Sequence, residues 1–194
     1  DWSSDVCSSD LNNTQLTVVG NTKANYFNPY QPGYYSNYFD GSGDYLSVPA
    51  AATPIGNGAY TVEFWIYRTA APGITRLFEK GTNTTDFSMD LAVDGTITIN
   101  NNTTITGSTT TIAISLNKWT HVALVRTSTG TNDTRWYING AAAGTFTHDT
   151  NISSVNLMYI CASGGAGYFL TGHLSNLRIV SGTAVYSAAF TPST

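Results

Sequence analysis

The sequence predicts an all-β protein, built as two stacked sheets or as a closed barrel, and three observations carry that prediction. Apolar and polar residues alternate with a period of two: Tyr60, Val62, Phe64 and Ile66 share one face, while Thr61, Glu63, Trp65 and Tyr67 share the other. Gly, Asn, Asp and Pro interrupt such runs at short intervals, as tight turns require. No segment keeps the helical period over three turns. A dozen or more short strands within 194 residues must stack or close, because one open layer would leave an apolar face in water.

Residues 12–36 read as a lead-in. Leu16-Thr17-Val18-Val19 is a short strand and Gly20-Asn21 a turn; Asn28-Pro29-Tyr30-Gln31-Pro32-Gly33 is stiffened by two prolines and cannot be a central strand. From Ser36 the alternation takes over, and Tyr45 and Ser47 alternate with Leu46 and Val48 until Pro49 ends the strand. After the run at 60–67, strands are expected at about 75–80, 86–92 and 95–100, with Asp94-Gly95 as a hairpin turn. Residues 109–116, 119–126 and 135–138 continue the series, turning at Asn139-Gly140 into 144–147. The last strands fall near 155–161, 167–171 and 174–180, followed by one helical turn at Ala184-Val185-Tyr186. The inward set comprises Phe39, Leu46, Val62, Phe64, Ile66, Leu77, Ile112, Ile114, Val122, Leu124, Trp136, Ile138, Leu170, Leu177 and Ile179.

Composition narrows the partners. Charged residues make up 10% of the chain, the net charge is -4, and no basic run occurs, so neither nucleic acid nor an anionic membrane is an expected partner. Tyr, Thr, Asn, Ser and Gly dominate the polar part, the make-up of an extracellular β protein with many turns. No apolar run reaches the length of a bilayer span.

Asp1-Trp2-Ser3-Ser4-Asp5-Val6-Cys7-Ser8-Ser9-Asp10-Leu11 reads codon by codon as a translated short-read sequencing adapter, so residues 1–11 are set aside and expected to pack on nothing. Without Asp1, Asp5 and Asp10 the net charge moves from -4 to -1. Cys7 goes with them. Cys161 then stands alone in the apolar run Met158-Tyr159-Ile160-Cys161-Ala162, as a small buried hydrophobe outside any disulfide framework.

Tyr38-Phe39-Asp40-Gly41-Ser42-Gly43-Asp44-Tyr45-Leu46-Ser47-Val48, Tyr60-Thr61-Val62-Glu63-Phe64-Trp65-Ile66-Tyr67 and Lys118-Trp119-Thr120-His121-Val122-Ala123-Leu124-Val125-Arg126, in this order and spacing, resemble the laminin-G-like members of the concanavalin A-like lectin/glucanase superfamily. The resemblance selects a two-sheet antiparallel jelly-roll sandwich over residues 37–190. It makes 12–36 a lead-in from a preceding module and 191–194 the start of a next linker. The ending Leu174-Ser175-Asn176-Leu177-Arg178-Ile179-Val180-Ser181-Gly182-Thr183-Ala184-Val185-Tyr186 is similar to modules of bacteriophage tail fibres and bacterial surface proteins. That likeness implies an extracellular or virion-surface setting, with neighbouring modules of the same chain as partners.

Glycosidases of this fold need two carboxylates flanking the scissile bond, about 5–5.5 Å apart when retaining. The only glutamates, Glu63 and Glu79, fall on different expected strands. Asp86 and Asp90 share a face of one strand, roughly 13 Å apart along the backbone. His121 and Arg126 point to opposite faces, and no Gly-x-Ser-x-Gly elbow occurs. The expectation is a protein that is not an enzyme.

Asp40-Gly41-Ser42-Gly43-Asp44 places two carboxylates on a glycine-rich turn, where relatives hold structural calcium; Asp40 and Asp44 are the candidate ligands, and the same residues also suit capping of the turn's own N–H groups. Relatives with a structural calcium carry an acidic residue where this chain has Asn176. For sugar stacking the candidates are Trp65, Tyr67 and Tyr168, the last beside Gly164-Gly165-Ala166-Gly167. The function expected is recognition of cell-surface glycan on the concave face or loop rim. The alternatives are a ligand-free fibre spacer and a divergent polysaccharide-active enzyme.

Overall fold

The computed structural model describes residues 16–30, 32–53, 55–81, 87–101, 103–152, 155–164 and 166–193. The adapter-like residues 1–11, with Trp2 and Cys7, lie outside them, as do Asp86 and Gly165.

Two seven-stranded sheets stack face to face. The first runs β1 (Thr17–Val19), β4 (Tyr45–Val48), β13 (Met158–Ile160), β6 (Thr75–Lys80), β7 (Phe87–Leu91), β8 (Ile97–Asn101) and β9 (Thr103–Thr104). The second runs β12 (Ala141–Phe146), β11 (Thr134–Ile138), β10 (Thr120–Arg126), β5 (Tyr60–Arg68), β14 (Thr171–Ser181), β3 (Ser36–Asp40) and β2 (Lys23–Asn25). Every pairing between these strands is antiparallel. The chain passes repeatedly from one layer to the other, so each sheet is assembled from distant segments. This is the jelly-roll sandwich, not a barrel.

The core lies between the layers and follows the alternation. Val62, Phe64 and Ile66 on β5, Val122 and Leu124 on β10 and Trp136 on β11 face Phe78 on β6, Phe87 and Met89 on β7 and Ile97 and Ile99 on β8. Phe64 and Phe78 meet edge to face with centroids 5.1 Å apart. Each such side chain contributes about 1.5–3 kcal/mol by leaving water. Cys161, one residue past β13, is buried and free.

Four expectations need correction. Ile112 is not in the core but 37% exposed, and Leu177 and Ile179 are only partly buried. Residues 109–116 form no strand: Thr110 and Ile114 donate to the carbonyls of Ile97 and Gly95, while Thr111 donates to that of Ala143. Donors divided between two sheets cannot join either ladder. The strands expected at 167–171 and 174–180 are replaced by the single strand β14, whose register shifts between Ser175 and Arg178 where Asn176 takes φ 49°. No helical turn forms at residues 184–186, because Val185 N donates to Thr61 Oγ1 on the sheet instead. Among the described residues the only helical turn is the 3₁₀ turn Ala50–Ala52, and no helix is long and apolar enough to cross a membrane.

The flanks belong to the sandwich. β1 pairs with β4 and β2 with β3, and the aromatic stretch after β2 lies on the outer face of the second sheet.

Candidate functional site

The two outer faces differ. On the second sheet Trp65 is 8% exposed, with the Tyr30 ring at 6.1 Å and His121 at 5.3 Å. Tyr67 meets Phe27 edge-on at 4.7 Å and Trp119 at 5.5 Å. The cover is pinned: Ser36 Oγ donates to the Phe27 carbonyl, and Asn176 Nδ2 donates to Tyr30 Oη at 2.8 Å. The alternation correctly sends Trp65 and Tyr67 outward, yet the lead-in folds back over both. Neither ring is bare for stacking.

The C-terminal stretch covers the rest of that face. Tyr186 and Phe190 stack at 3.5 Å over Tyr137, Ala123 and Val125. Beneath them Glu63 accepts from Tyr186 Oη at 2.8 Å and pairs with Arg178, and His121 Nε2 stands 3.3 Å away. Burial pushes the Glu63 carboxyl up, but hydrogen bonds with His121, Tyr186 and Arg178 together outweigh it and hold the group below its ordinary range. Desolvation first, and Glu63 second, raise the Tyr186 phenol to about 12.

The first sheet presents a polar outer face. Cross-strand register lines up Ser47, Tyr159, Glu79, Ser88 and Asn100, with Asp90 beside them on β7. Arg76 joins this face through a bulge. The register skips Leu77, so residues 76 and 79, which a regular strand would send to opposite faces, meet on one. The Arg76 guanidinium pairs with Glu79 Oε2 and with Asp90. Asn100 Nδ2 donates to Asp90 Oδ2 at 2.9 Å, and Ser163 Oγ donates to Glu79 Oε2 at 2.8 Å. Glu79 Oε1 and Ser88 Oγ are buried with no hydrogen-bond partner among the described residues. Burial chiefly raises the Asp90 carboxyl; Arg76 opposes that rise, and the nearby charge of Glu79 adds to it.

Tyr168 stands at the edge of this network. It is 53% exposed, its backbone sits in the left-handed region at φ 57°, and its carbonyl accepts from Arg76 N at 2.9 Å. The Arg76 guanidinium lies 5.5 Å from its ring centroid. Of the three aromatic candidates, only Tyr168 offers a half-bare ring beside polar groups. Arg76, Glu79, Asp90 and Ser163 were missed as a set because they converge from three segments. The β6–β7 pairing was the one legible signal, since Glu79 opposes Ser88 across it.

Asp40 and Asp44 meet at the turn through hydrogen bonds to its own donors. Asp44 Oδ1 accepts from Asn21 N at 2.7 Å and its Oδ2 from Asp40 N at 3.0 Å. Asp40 Oδ1 accepts from Ser42 N at 2.7 Å and its Oδ2 from Asn21 Nδ2 at 3.3 Å. All four oxygens accept from the chain's own donors, the capping arrangement that such a turn suits. No cluster of three His, Cys, Asp or Glu ligands occurs among the described residues.

Fold and faces together define a two-sheet jelly-roll module with one covered side and one polar side. The family model of the concanavalin A-like lectin/glucanases superfamily (Laminin_G_3) matches residues 40–188, and the chain belongs to that family. No curated protein matches. Among solved structures, domain 4 of AbnA, a GH43 extracellular arabinanase from Geobacillus stearothermophilus, in complex with arabinotriose, is 16% identical with a TM-score of 0.71, covering 93% of this chain and 89% of that one. The binding domain of botulinum neurotoxin DC in complex with SialylT is 14% identical with a TM-score of 0.59, covering 92% of this chain and 45% of that one. A structure reported for botulinum neurotoxin type C, whose cell entry depends on interaction with two ganglioside molecules, is 11% identical with a TM-score of 0.59, covering 87% and 43%. The chain thus spans under half of these toxin chains. At such identities the likeness is one of fold.

Proposed function

We propose that this chain is a non-catalytic module that binds glycan on the outer face of the first sheet, as part of a larger extracellular or virion-surface protein. The observation that carries this reading is the half-bare Tyr168 ring beside the Arg76–Glu79–Asp90 network. A sugar offers apolar C–H faces and many hydroxyls; the Tyr168 ring takes the former and the partly exposed Asp90 and Asn100 the latter, while the buried Arg76 and Glu79 hold Asp90 and the ring in place. Arabinotriose on the arabinanase domain and gangliosides on the toxin support a glycan as partner. Both acids of the network are tied to one guanidinium, a poor arrangement for the separate acid and base that glycoside hydrolysis requires. Neighbouring modules of the same chain are the other partners in this reading.

Tyr168→Ala tests it. On a glycan array of neutral and acidic polysaccharides, the variant should lose about tenfold in affinity, some 1.4 kcal/mol, with an unchanged melting temperature. A folded wild-type protein that binds none of them would defeat the proposal. That result would favour a ligand-free spacer packed through the tyrosine-rich cover at residues 26–35.

A further inference from the structure

We propose that the loop at residues 26–35 is a second glycan contact, on the broad side of the sandwich opposite Tyr168, so that one module holds neutral polysaccharide at two places. This rests on the glycan reading above. Phe27 and Tyr30 anchor the loop against Tyr67, Trp119 and Trp65. The remaining tyrosines are displayed: Tyr26 is 75%, Tyr34 59% and Tyr35 41% exposed. Their rings group in tilted pairs, Tyr26 with Tyr35 at 4.8 Å and 40°, and Tyr30 with Tyr34 at 5.3 Å and 45°.

The loop backbone that carries these rings is tied down by hydrogen bonds. Asn28 Nδ2 donates to the carbonyls of Tyr26 at 2.8 Å and Tyr34 at 2.7 Å, while its Oδ1 accepts from Tyr30 N. Asn25 Oδ1 accepts from Phe27 N, and Ser175 Oγ donates to the Tyr35 carbonyl. Exposed rings add little to folding, but a tyrosine on a hydrogen-bonded backbone has only two side-chain torsions to lose when a ligand arrives. Tyrosine is enriched at protein interfaces too, but there in the company of arginine and methionine, and residues 26–35 contain neither. This loop carries tyrosine, asparagine, proline and glycine, and within residues 16–35 the only charged side chain is Lys23. Flat rings edged by hydroxyls, without charge, suit the C–H faces of neutral sugars.

The probes are arabinan, mannan, xylan and a β-1,3-glucan, run by affinity electrophoresis against wild type, Tyr168→Ala, the double variant Tyr26→Ala/Tyr34→Ala, and all three substitutions together. On whichever polymer retards the wild type, the double variant should weaken retardation about tenfold and the triple variant should abolish it. The wild type should also cross-link that polymer, measured as turbidity, and either partial variant should not. Unaltered retardation and turbidity in the double variant would overturn the second contact while leaving the Tyr168 site standing. Loss in the double variant with none in Tyr168→Ala would sustain the loop and remove the other site. If no polymer retards the folded wild type, both fall. If sugar-free wild type self-associates in sedimentation and the double variant does not, the loop joins copies of the chain and the inference is wrong.

Discussion

Arg126 is fully buried with no carboxylate partner among the described residues, and its surroundings explain how the core tolerates it. Nε donates to the Gly58 carbonyl at 2.9 Å, Nη1 to those of His148 at 3.2 Å and Thr150 at 2.8 Å, and Nη2 to that of Gly56 at 2.9 Å. The Tyr60 ring lies 4.6 Å below. Replacing Arg126 by Met removes four charge-assisted hydrogen bonds, one of them to the carbonyl of the buried His148, and urea unfolding should show a loss of about 3 kcal/mol. Arg126→Lys should recover little, because one ammonium cannot span that fan. His148, against the same arginine, makes a second test. Burial first, and then the Arg126 charge, lower its pKa from 6.5 to about 4, with Asp149 pulling the other way. The unfolded chain therefore binds the proton first. Stability should fall as pH drops from 6.5 toward 4, by about 3 kcal/mol in all. His148→Phe should reduce that slope; His173 and Glu63, both lowered, keep the same sign in either protein, and Asp90, whose pKa is raised, has the opposite sign. At this scale the sequence was partly legible. Parity placed Trp65 outward and Phe64 inward, but parity says nothing about what later covers a face. Nor does it account for Arg76, where a bulge breaks the count.

Among the elements, hairpins were the most legible feature and crossings the least. Asn139-Gly140 reads as a two-residue turn because both residues must take positive φ, and they do, at 50° and 76°. That turn has a second task. Phe190 N donates to the Gly140 carbonyl, and a Cβ on Gly140 would come within 1.8 Å of Phe190 O. Gly140→Ala should lift the C-terminal stretch from Tyr137 and Glu63, giving faster proteolysis near residues 184–190 and a loss of about 1–3 kcal/mol. Residues 109–116 were misread for a physical reason: of the alternating Ile112, Ile114 and Leu116 only Ile114 is buried, and the segment's donors divide between the two layers, so the pattern mimics a strand without building one.

For the whole molecule, the all-β class and the division into two layers were legible from periodicity, and the family motifs supplied the topology. The role of the flanks was not. Composition marked residues 12–36 as a connector because prolines and glycines interrupt it, and only the folded chain reveals that its aromatics cover Trp65 and Tyr67. A chain begun at Ser36 would leave Trp65, Tyr67 and Trp119 bare. Its melting temperature should drop and a hydrophobic dye should bind, with a stability loss of roughly 4 kcal/mol or more. A melt matching that of the full chain would show the cover to be dispensable.

The buried sulfur of Cys161 has a practical bearing. With its thiol pushed well above the ordinary range by burial, almost no thiolate is present to meet peroxide or a foreign disulfide. Dithiothreitol and mild oxidants should therefore leave the melting temperature of the described sandwich unchanged.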